Sequence, residues 1–375
     1  MKNLLLLSTL VVLILAVGCK KEEGLVPEPT TPTTPTPPIT SEWGSSIQTD
    51  IAGSVLDESG QAMSGVSIQV GSATATTDVN GAFYISNATV YENLGYVTAS
   101  SPGYFPGSRT FLPTTGTDVV NIRMLAKNSA GSIAATAGGT LSLEGVNISF
   151  TANTFEQNSA IYTGNVNVVL NFIDPESIAF ADEMPGTLLG MQNSASNRLT
   201  SFGMVAVELS DNSGNEVTLT SGSTAELRFP VAASLLGSAP ADIDLWYFNE
   251  TTGLWESEGT ATLQGSEYVA NVSHFSFWNC DYGGPYINLD GQVTDPNGIG
   301  IQGARVTITS TTQGNETDYT NSAGYFGGYV PSGEVLDIMV ELDCGGTGYQ
   351  TYYTGQIGPF SSATTLPVIT VGQGS

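Results

Sequence analysis

Basic side chains are scarce in this 375-residue chain: nine Lys and Arg stand against 35 Asp and Glu, for a formal net charge of −26. Beyond Lys127 only Arg198, Arg228 and Arg305 remain. Phosphate backbones are gripped by clustered Lys and Arg, so nucleic acid is excluded as a partner. Anionic lipid surfaces are disfavoured for the same reason. Solubility outside the cell accounts for the acidity, with calcium capture as the functional alternative. Histidine is nearly absent too, at one residue, His274. Any Ser-His-Asp chemistry must pass through it. No G-x-S-x-G elbow, H-E-x-x-H pair or phosphate-cradling glycine loop ending in Lys-Ser/Thr occurs, so the chain reads as a non-enzyme. Only three cysteines are present, none in a C-x-x-C pair, and one histidine cannot complete a Cys/His zinc site.

What is abundant is turn and strand chemistry. Charged residues make up 12% of the chain, hydrophobic ones 40%, and there are 44 glycines. Low charge, β-branched residues and frequent turns predict an all-β exported protein. No sustained 3.6-residue period follows the N-terminal segment, so few helices are expected. The length allows two to four domains.

Residues 1–18 have a short basic start and an apolar block from Leu4 to Val17. That is a signal peptide, too short for a membrane span. Its end, Leu15-Ala-Val-Gly-Cys19, resembles a bacterial lipobox. The resemblance implies a lipoprotein cut before Cys19, with the cysteine carrying lipid (palmitate among the acyl chains) and tethering the chain to a membrane. Lys20-Lys21-Glu22-Glu23 is similar to the sorting signals of surface-exposed lipoproteins in some Gram-negative bacteria. It implies the outer membrane, facing the extracellular side. Residues 19–46 complete a tether. Pro27, Pro29, Pro32, Pro35, Pro37 and Pro38 lie among threonines, which favours an extended polyproline-like stalk. At about 3.1 Å per residue, Pro27 to Thr40 reaches roughly 40 Å.

Residues 47–127 alternate as short strands around Asp57-Glu-Ser-Gly60 and Asp78-Val-Asn-Gly81, the pattern of a β-sandwich. The module recurs within 284–375. Gly53-Ser-Val-Leu-Asp57 matches Gly291-Gln-Val-Thr-Asp295, Gly60 matches Gly298, and Gly65-Val66 matches Gly303-Ala304. Asn80-Gly-Ala-Phe83 matches Ala323-Gly-Tyr-Phe326, and Gly103-Tyr104 matches Gly348-Tyr349. Both copies resemble the carboxypeptidase regulatory-like domain, a transthyretin-like sandwich. That resemblance implies an accessory scaffold or interaction module without peptidase activity. Asp78-x-Asn80-Gly81, Asp295-x-Asn297-Gly298 and Asp211-Asn-Ser-Gly-Asn-Glu216 look like fragments of calcium loops. They lack the downstream glutamate and carry the residues that β-turns demand. No cofactor is expected, with calcium the alternative.

Residues 131–280 lie between the copies. Gly138-Gly-Thr-Leu-Ser-Leu143, Val146-Asn-Ile-Ser-Phe150 and Gly164-Asn-Val-Asn-Val-Val-Leu170 resemble the start of a ZU5 domain. Thr151–Phe155 stands where that family carries a Pro-Gly-Ala turn. The expected architecture is therefore tandem β-sandwiches: transthyretin-like, ZU5-like, transthyretin-like. Trp246, Tyr247 and Trp255 flank a turn at Asn249–Gly253, either as cross-strand packing or as a platform for sugar rings.

Tyr268–Cys280 reads as one strand with apolar groups on both faces, buried on both sides. Val272, His274, Ser276, Trp278 and Cys280 share a face, so His274 is expected as a core residue bonded to Ser276. The alternative rests on His274-Phe275-Ser276, the tripeptide at which some ZU5-type domains cut themselves. That resemblance implies attack by the Ser276 hydroxyl on the Phe275 carbonyl, with His274 taking the proton. Cys280 and Cys344 are candidates for a disulfide. The functional expectation is a non-catalytic binding or display module for a carbohydrate or protein partner. A self-cleaving surface protein and an accessory subunit of glycan-handling machinery are the alternatives.

Overall fold

The computed structural model describes residues 43–343 and 348–372. Cys19, the signal segment, the stalk through residue 42, and Cys344 lie outside the described residues. The described chain is all-β apart from one short helix, α1 (Phe180–Glu183).

The first sandwich contains β1 (Ser46–Leu56), β2 (Ser67–Val70), β3 (Ala73–Thr76), β4 (Ala82–Tyr91), β5 (Gly95–Ser100), β6 (Gly107–Phe111) and β7 (Thr117–Arg123). Sheet β4-β1-β7 faces sheet β3-β2-β5-β6 across one core that includes Ile51, Val66, Ile68, Phe83, Val97 and Ile122.

The middle region begins with β8 (Asn128–Ala134), β9 (Gly139–Leu143), β10 (Val146–Phe150), β11 (Phe155–Gln157), β12 (Ala160–Ile161) and β13 (Asn165–Ile173). After α1 come β14 (Leu189–Gln192), β15 (Ala195–Ser210), β16 (Thr218–Leu219) and β17 (Ala225–Pro230). It closes with β18 (Asp242–Asn249), β19 (Leu254–Gln264), β20 (Glu267–Val272) and β21 (Phe277–Gly284). Eleven of these strands form one sheet, ordered β8-β13-β15-β21-β18-β19-β20-β17-β10-β9 with β14 beside β15 and β19. The sheet curls over a single core, so Phe202 of β15 meets Tyr268 of β20 edge-on at 6.1 Å.

The last sandwich contains β22 (Tyr286–Thr294), β23 (Arg305–Ser310), β24 (Gly314–Tyr319), β25 (Tyr325–Pro331), β26 (Leu336–Asp343), β27 (Tyr349–Ile357), β28 (Thr364–Thr365) and β29 (Ile369–Thr370). Its sheets are β25-β22-β28, with β29 also on β22, and β24-β23-β26-β27. This is the order of the first sandwich repeated: β22 takes the place of β1, β25 of β4, β26 of β5 and β27 of β6.

The repeated sequence has a physical cause. A Cβ on Gly53 would sit 2.5 Å from the Phe83 ring, and one on Gly291 would sit 2.7 Å from the Phe326 ring. Each glycine thus makes room for the aromatic of the neighbouring strand. Asp57 Oδ1 accepts the amides of Ser59 and Gln61, as Asp295 Oδ1 accepts those of Asn297 and Ile299. Thr77 accepts the Val66 amide at 2.9 Å and donates to the Met63 carbonyl at 2.6 Å. Thr320 repeats this with Ala304 at 2.8 Å and Ile301 at 2.6 Å.

The three cores are joined by two further apolar clusters. One gathers Phe105 and Leu125 from the first region with Met204, Ala206, Trp246, Phe248, Trp255 and Phe277 of the middle. The other brings Trp43, Leu94 and Leu112 together with Leu189 and Leu254 and with Tyr329 of the last sandwich. Strands β15, β18 and β21 therefore bury both faces. Val205, Leu245 and Trp278 point into the middle core, while Met204, Trp246 and Phe277 point into the joining cluster. This is why their sequences run apolar without alternating.

Candidate functional site

The expected strand over 268–280 is interrupted. β20 ends at Val272 and β21 starts at Phe277, leaving a bend at 273–276. His274 is consequently not a core residue: its side chain keeps 38% exposure and lies between the Tyr247 and Trp278 rings, each 4.9 Å away. Its Nε2 faces Glu258 Oε2 at 3.4 Å rather than Ser276. The Ser276 hydroxyl donates to the Phe277 carbonyl at 3.1 Å. The bend forms because Trp278, buried within the core, donates its indole N–H back to the His274 carbonyl at 3.1 Å. The structure thus places His274, Phe275 and Ser276 in one turn but gives base and hydroxyl different partners.

A denaturing intact-mass spectrum of residues 24–375 is expected to show one uncut chain. Two masses summing to the chain plus one water, with the break before Ser276, would sink that expectation. The half-exposed His274–Glu258 pair contributes little, about 0–1 kcal/mol.

Beside the bend lies a cleft of about 180 Å³ lined by Glu208, Ser210, Gly214, Glu216, Thr218 and Phe275, among others. Of these, Glu208 pairs with Lys127 Nζ at 2.6 Å.

The aromatic hairpin is packing, which corrects the sugar-platform alternative. Trp246 and Trp255 have no exposed surface. Their indole N–H groups donate to the Asp281 and Thr187 carbonyls at 3.1 and 3.0 Å. Phe248 and Trp255 pair across strands at 5.3 Å. Tyr247 is partly buried and donates its hydroxyl to Glu256 at 2.6 Å. The turn itself is held by Asn249 Oδ1, which accepts the Thr251 amide at 2.9 Å.

The loops with calcium-like spacing are Asx turns. Asp78 Oδ1 accepts the Asn80 and Ala82 amides, and Asp211 Oδ1 those of Ser213 and Asn215. Among the described residues no group of three or more His, Cys, Asp and Glu is placed to hold a metal. Cys280 is a free thiol with no exposed surface, within the middle core. Cys344, its candidate disulfide partner, lies outside the described residues. Burial pushes the Cys280 thiol pKa well up, so it is inert as a nucleophile.

The most elaborate polar arrangement is one that sequence reading missed, at the junction of the middle region with the last sandwich. Arg198 of β15 has no exposed surface. Nε donates to the Tyr329 carbonyl at 3.1 Å, Nη1 to the Gln313 carbonyl at 2.5 Å and Nη2 to the Asn315 carbonyl at 2.7 Å. Glu316 Oε2, itself 8% exposed, supplies the countercharge at 3.8 Å. Tyr329 extends the link to the first region, donating its hydroxyl to the Asn93 carbonyl at 2.8 Å. One guanidinium and one tyrosine thus tie all three parts together.

A second polar set lies where the first region meets the last, and there Asn321 Nδ2 donates to the Thr115 carbonyl at 2.7 Å. Asp118 of β7 accepts from Thr49 Oγ1 at 2.9 Å and from the Thr114 amide at 2.8 Å. Burial nevertheless pushes its carboxyl up to about 6. Asp318 of β24 accepts the Gly327 amide at 2.8 Å, and burial, with a smaller push from Asp118, raises it to about 7. The sequence signal was faint: each is one acid in an alternating strand.

No family model matches the chain, and no curated protein matches it. Solved structures align with it at low identity. The TIE protein of Bacillus anthracis is 10% identical with a TM-score of 0.19, over 87% of this chain and 50% of that one. BcpA, the major pilin subunit of Bacillus cereus, is 9% identical with a TM-score of 0.18, over 87% and 100%. The full-length major pilin SpaD of Corynebacterium diphtheriae is 10% identical with a TM-score of 0.18, over 87% and 97%. The chain therefore spans half the length of the TIE protein. The TM-scores are far too low to mark a common fold.

Proposed function

We propose that this chain is a lipid-anchored protein of a bacterial outer membrane that holds a rigid three-part β body away from the cell as a binding or display module. Its flanking sandwiches are read as carboxypeptidase regulatory-like domains and its middle as ZU5-like. Its partner is a protein or a carbohydrate, and the body itself is non-catalytic.

The observation that carries this reading is the joining of three cores by Trp43, Trp246, Trp255 and Tyr329, with Arg198 clamped between the middle and last parts. Domains on flexible linkers reorient independently, whereas a large apolar junction makes one body. A rigid body beyond a Pro/Thr stalk suits presentation of a surface at a fixed distance. The lipid reading rests on Leu15-Ala-Val-Gly-Cys19.

Cys19→Ala expressed in a Gram-negative host is expected to lose palmitate labelling completely and to leave the membrane fraction. On intact cells, protease should degrade the wild-type body. A wild-type protein that takes no palmitate would overturn the anchor, and protection from protease would overturn outward display.

A further inference from the structure

We infer that the free edge of β27 is a strand-addition site for an extended, uncharged segment of a partner protein flanked by Lys or Arg. This deepens the reading of the chain as a binding module, but does not depend on the lipid anchor.

β27 ends the sheet β24-β23-β26-β27, so one side of its backbone has no strand beside it among the described residues. Its nine residues, Tyr-Gln-Thr-Tyr-Tyr-Thr-Gly-Gln-Ile, include no charge and no proline. Tyr349, Gln350, Thr351, Thr354 and Gln356 are exposed. Natural edge strands are commonly blunted by Lys, Pro or inward charges, because unpaired N–H and C=O groups are a template for another chain. Here the protection is limited to one bulge, opposite Val340 and Glu341. Strand addition then draws affinity from main-chain hydrogen bonds and specificity from alternate side chains.

The internal repeat shows the same edge in use. β6 is the counterpart of β27, and it carries backbone from the middle region. The Gly186 amide donates to the Ser108 carbonyl at 3.2 Å. Thr110 Oγ1 donates to the Gly253 carbonyl at 2.6 Å. In the second copy the equivalent strand has no strand on that side among the described residues.

Charge selects the partner. The pairing strand is neutral, but acids stand at both ends on the neighbouring strand, with Asp337 opposite Gln356 and Asp343 opposite Tyr349. The whole chain carries −26. A second copy would bring like charges together, whereas a segment with basic flanks gains at both ends.

The probe is a synthetic Thr-Val repeat peptide with two lysines at each end, titrated into the soluble protein of residues 24–375 and followed by fluorescence anisotropy and amide hydrogen exchange. Binding is expected with new protection confined to 349–357, and Thr354→Lys is expected to weaken it about tenfold or more. The same peptide with glutamate ends should bind more weakly than the lysine form. No binding at millimolar peptide, or protection elsewhere, would overturn the proposal. So would equal binding of both peptides, or concentration-dependent protection of 349–357 without peptide, which would make a second copy the occupant. None of these readouts involves Cys19, so failure here leaves the anchoring test untouched. The reverse holds as well.

Discussion

Arg198→Met is expected to destabilise the protein by about 3–5 kcal/mol, because it leaves a buried carboxylate without its countercharge. Glu316 would remain in the junction at 8% exposure, and the Tyr329, Gln313 and Asn315 carbonyls would each lose a charged donor. Arg198→Lys is expected to recover only part of the loss. A lysine ammonium is a compact point charge and cannot reproduce the planar fork that reaches three carbonyls at once. The double variant Arg198→Met/Glu316→Gln should be more stable than Arg198→Met alone, since the orphaned charge is gone. Urea unfolding of the wild type, Arg198→Met, Glu316→Gln and the double variant measures the cycle. A loss below about 1 kcal/mol for Arg198→Met would show that the junction tolerates an unpaired Glu316.

Between pH 4 and pH 7 the protein is expected to grow more stable as the pH falls, the reverse of ordinary acid loss. Burial holds the Asp118 carboxyl at about 6 and the Asp318 carboxyl at about 7 in the folded state. In the unfolded chain both return to about 3.9. Across that window the folded protein keeps protons that the unfolded chain releases. Stability from these two groups is thus fully present below pH 4, declines as the pH rises through the window, and levels off above about 7. Each group contributes on the order of 3–4 kcal/mol. Asp182, Asp281 and Glu316, also raised by burial, act in the same direction. Asp50, Asp211 and Asp295 oppose it, since hydrogen bonds hold them below the usual range and their contribution is lost as they protonate near and below pH 4. The optimum should therefore lie near pH 4–5. Denaturant midpoints at half-unit steps from pH 4 to 8 test the slope, and Asp318→Asn should flatten its upper part. Midpoints that rise from pH 5 to 7 would contradict the assignment.

Several local features were readable from the chain. Gly53 and Phe83 recur as Gly291 and Phe326, because a ring needs the space of a missing side chain on the next strand. The Asp and Asn turns follow from short side chains that bond their own backbone two and four residues on.

The bend at Ser273–Ser276 was not readable. It is set by the Trp278 indole reaching the His274 carbonyl, and alternation alone predicts a continuous strand there. Sequence does not decide between packing and sugar binding at Trp246 and Trp255 for a related reason. Aromatics beside a turn look the same whether water or another module lies over them, and here Phe105 and Tyr96 do.

The sequence by itself determined the strands, the turns and the duplication of the sandwich, because these depend on side-chain period and on residues within about ten positions of one another. It also carries the Leu15–Cys19 segment that resembles a lipobox and the Pro/Thr-rich stretch after it. Only the tertiary structure decided that the three parts form one body. The groups that join them are backbone carbonyls more than a hundred residues from Arg198, and every residue offers the same carbonyl.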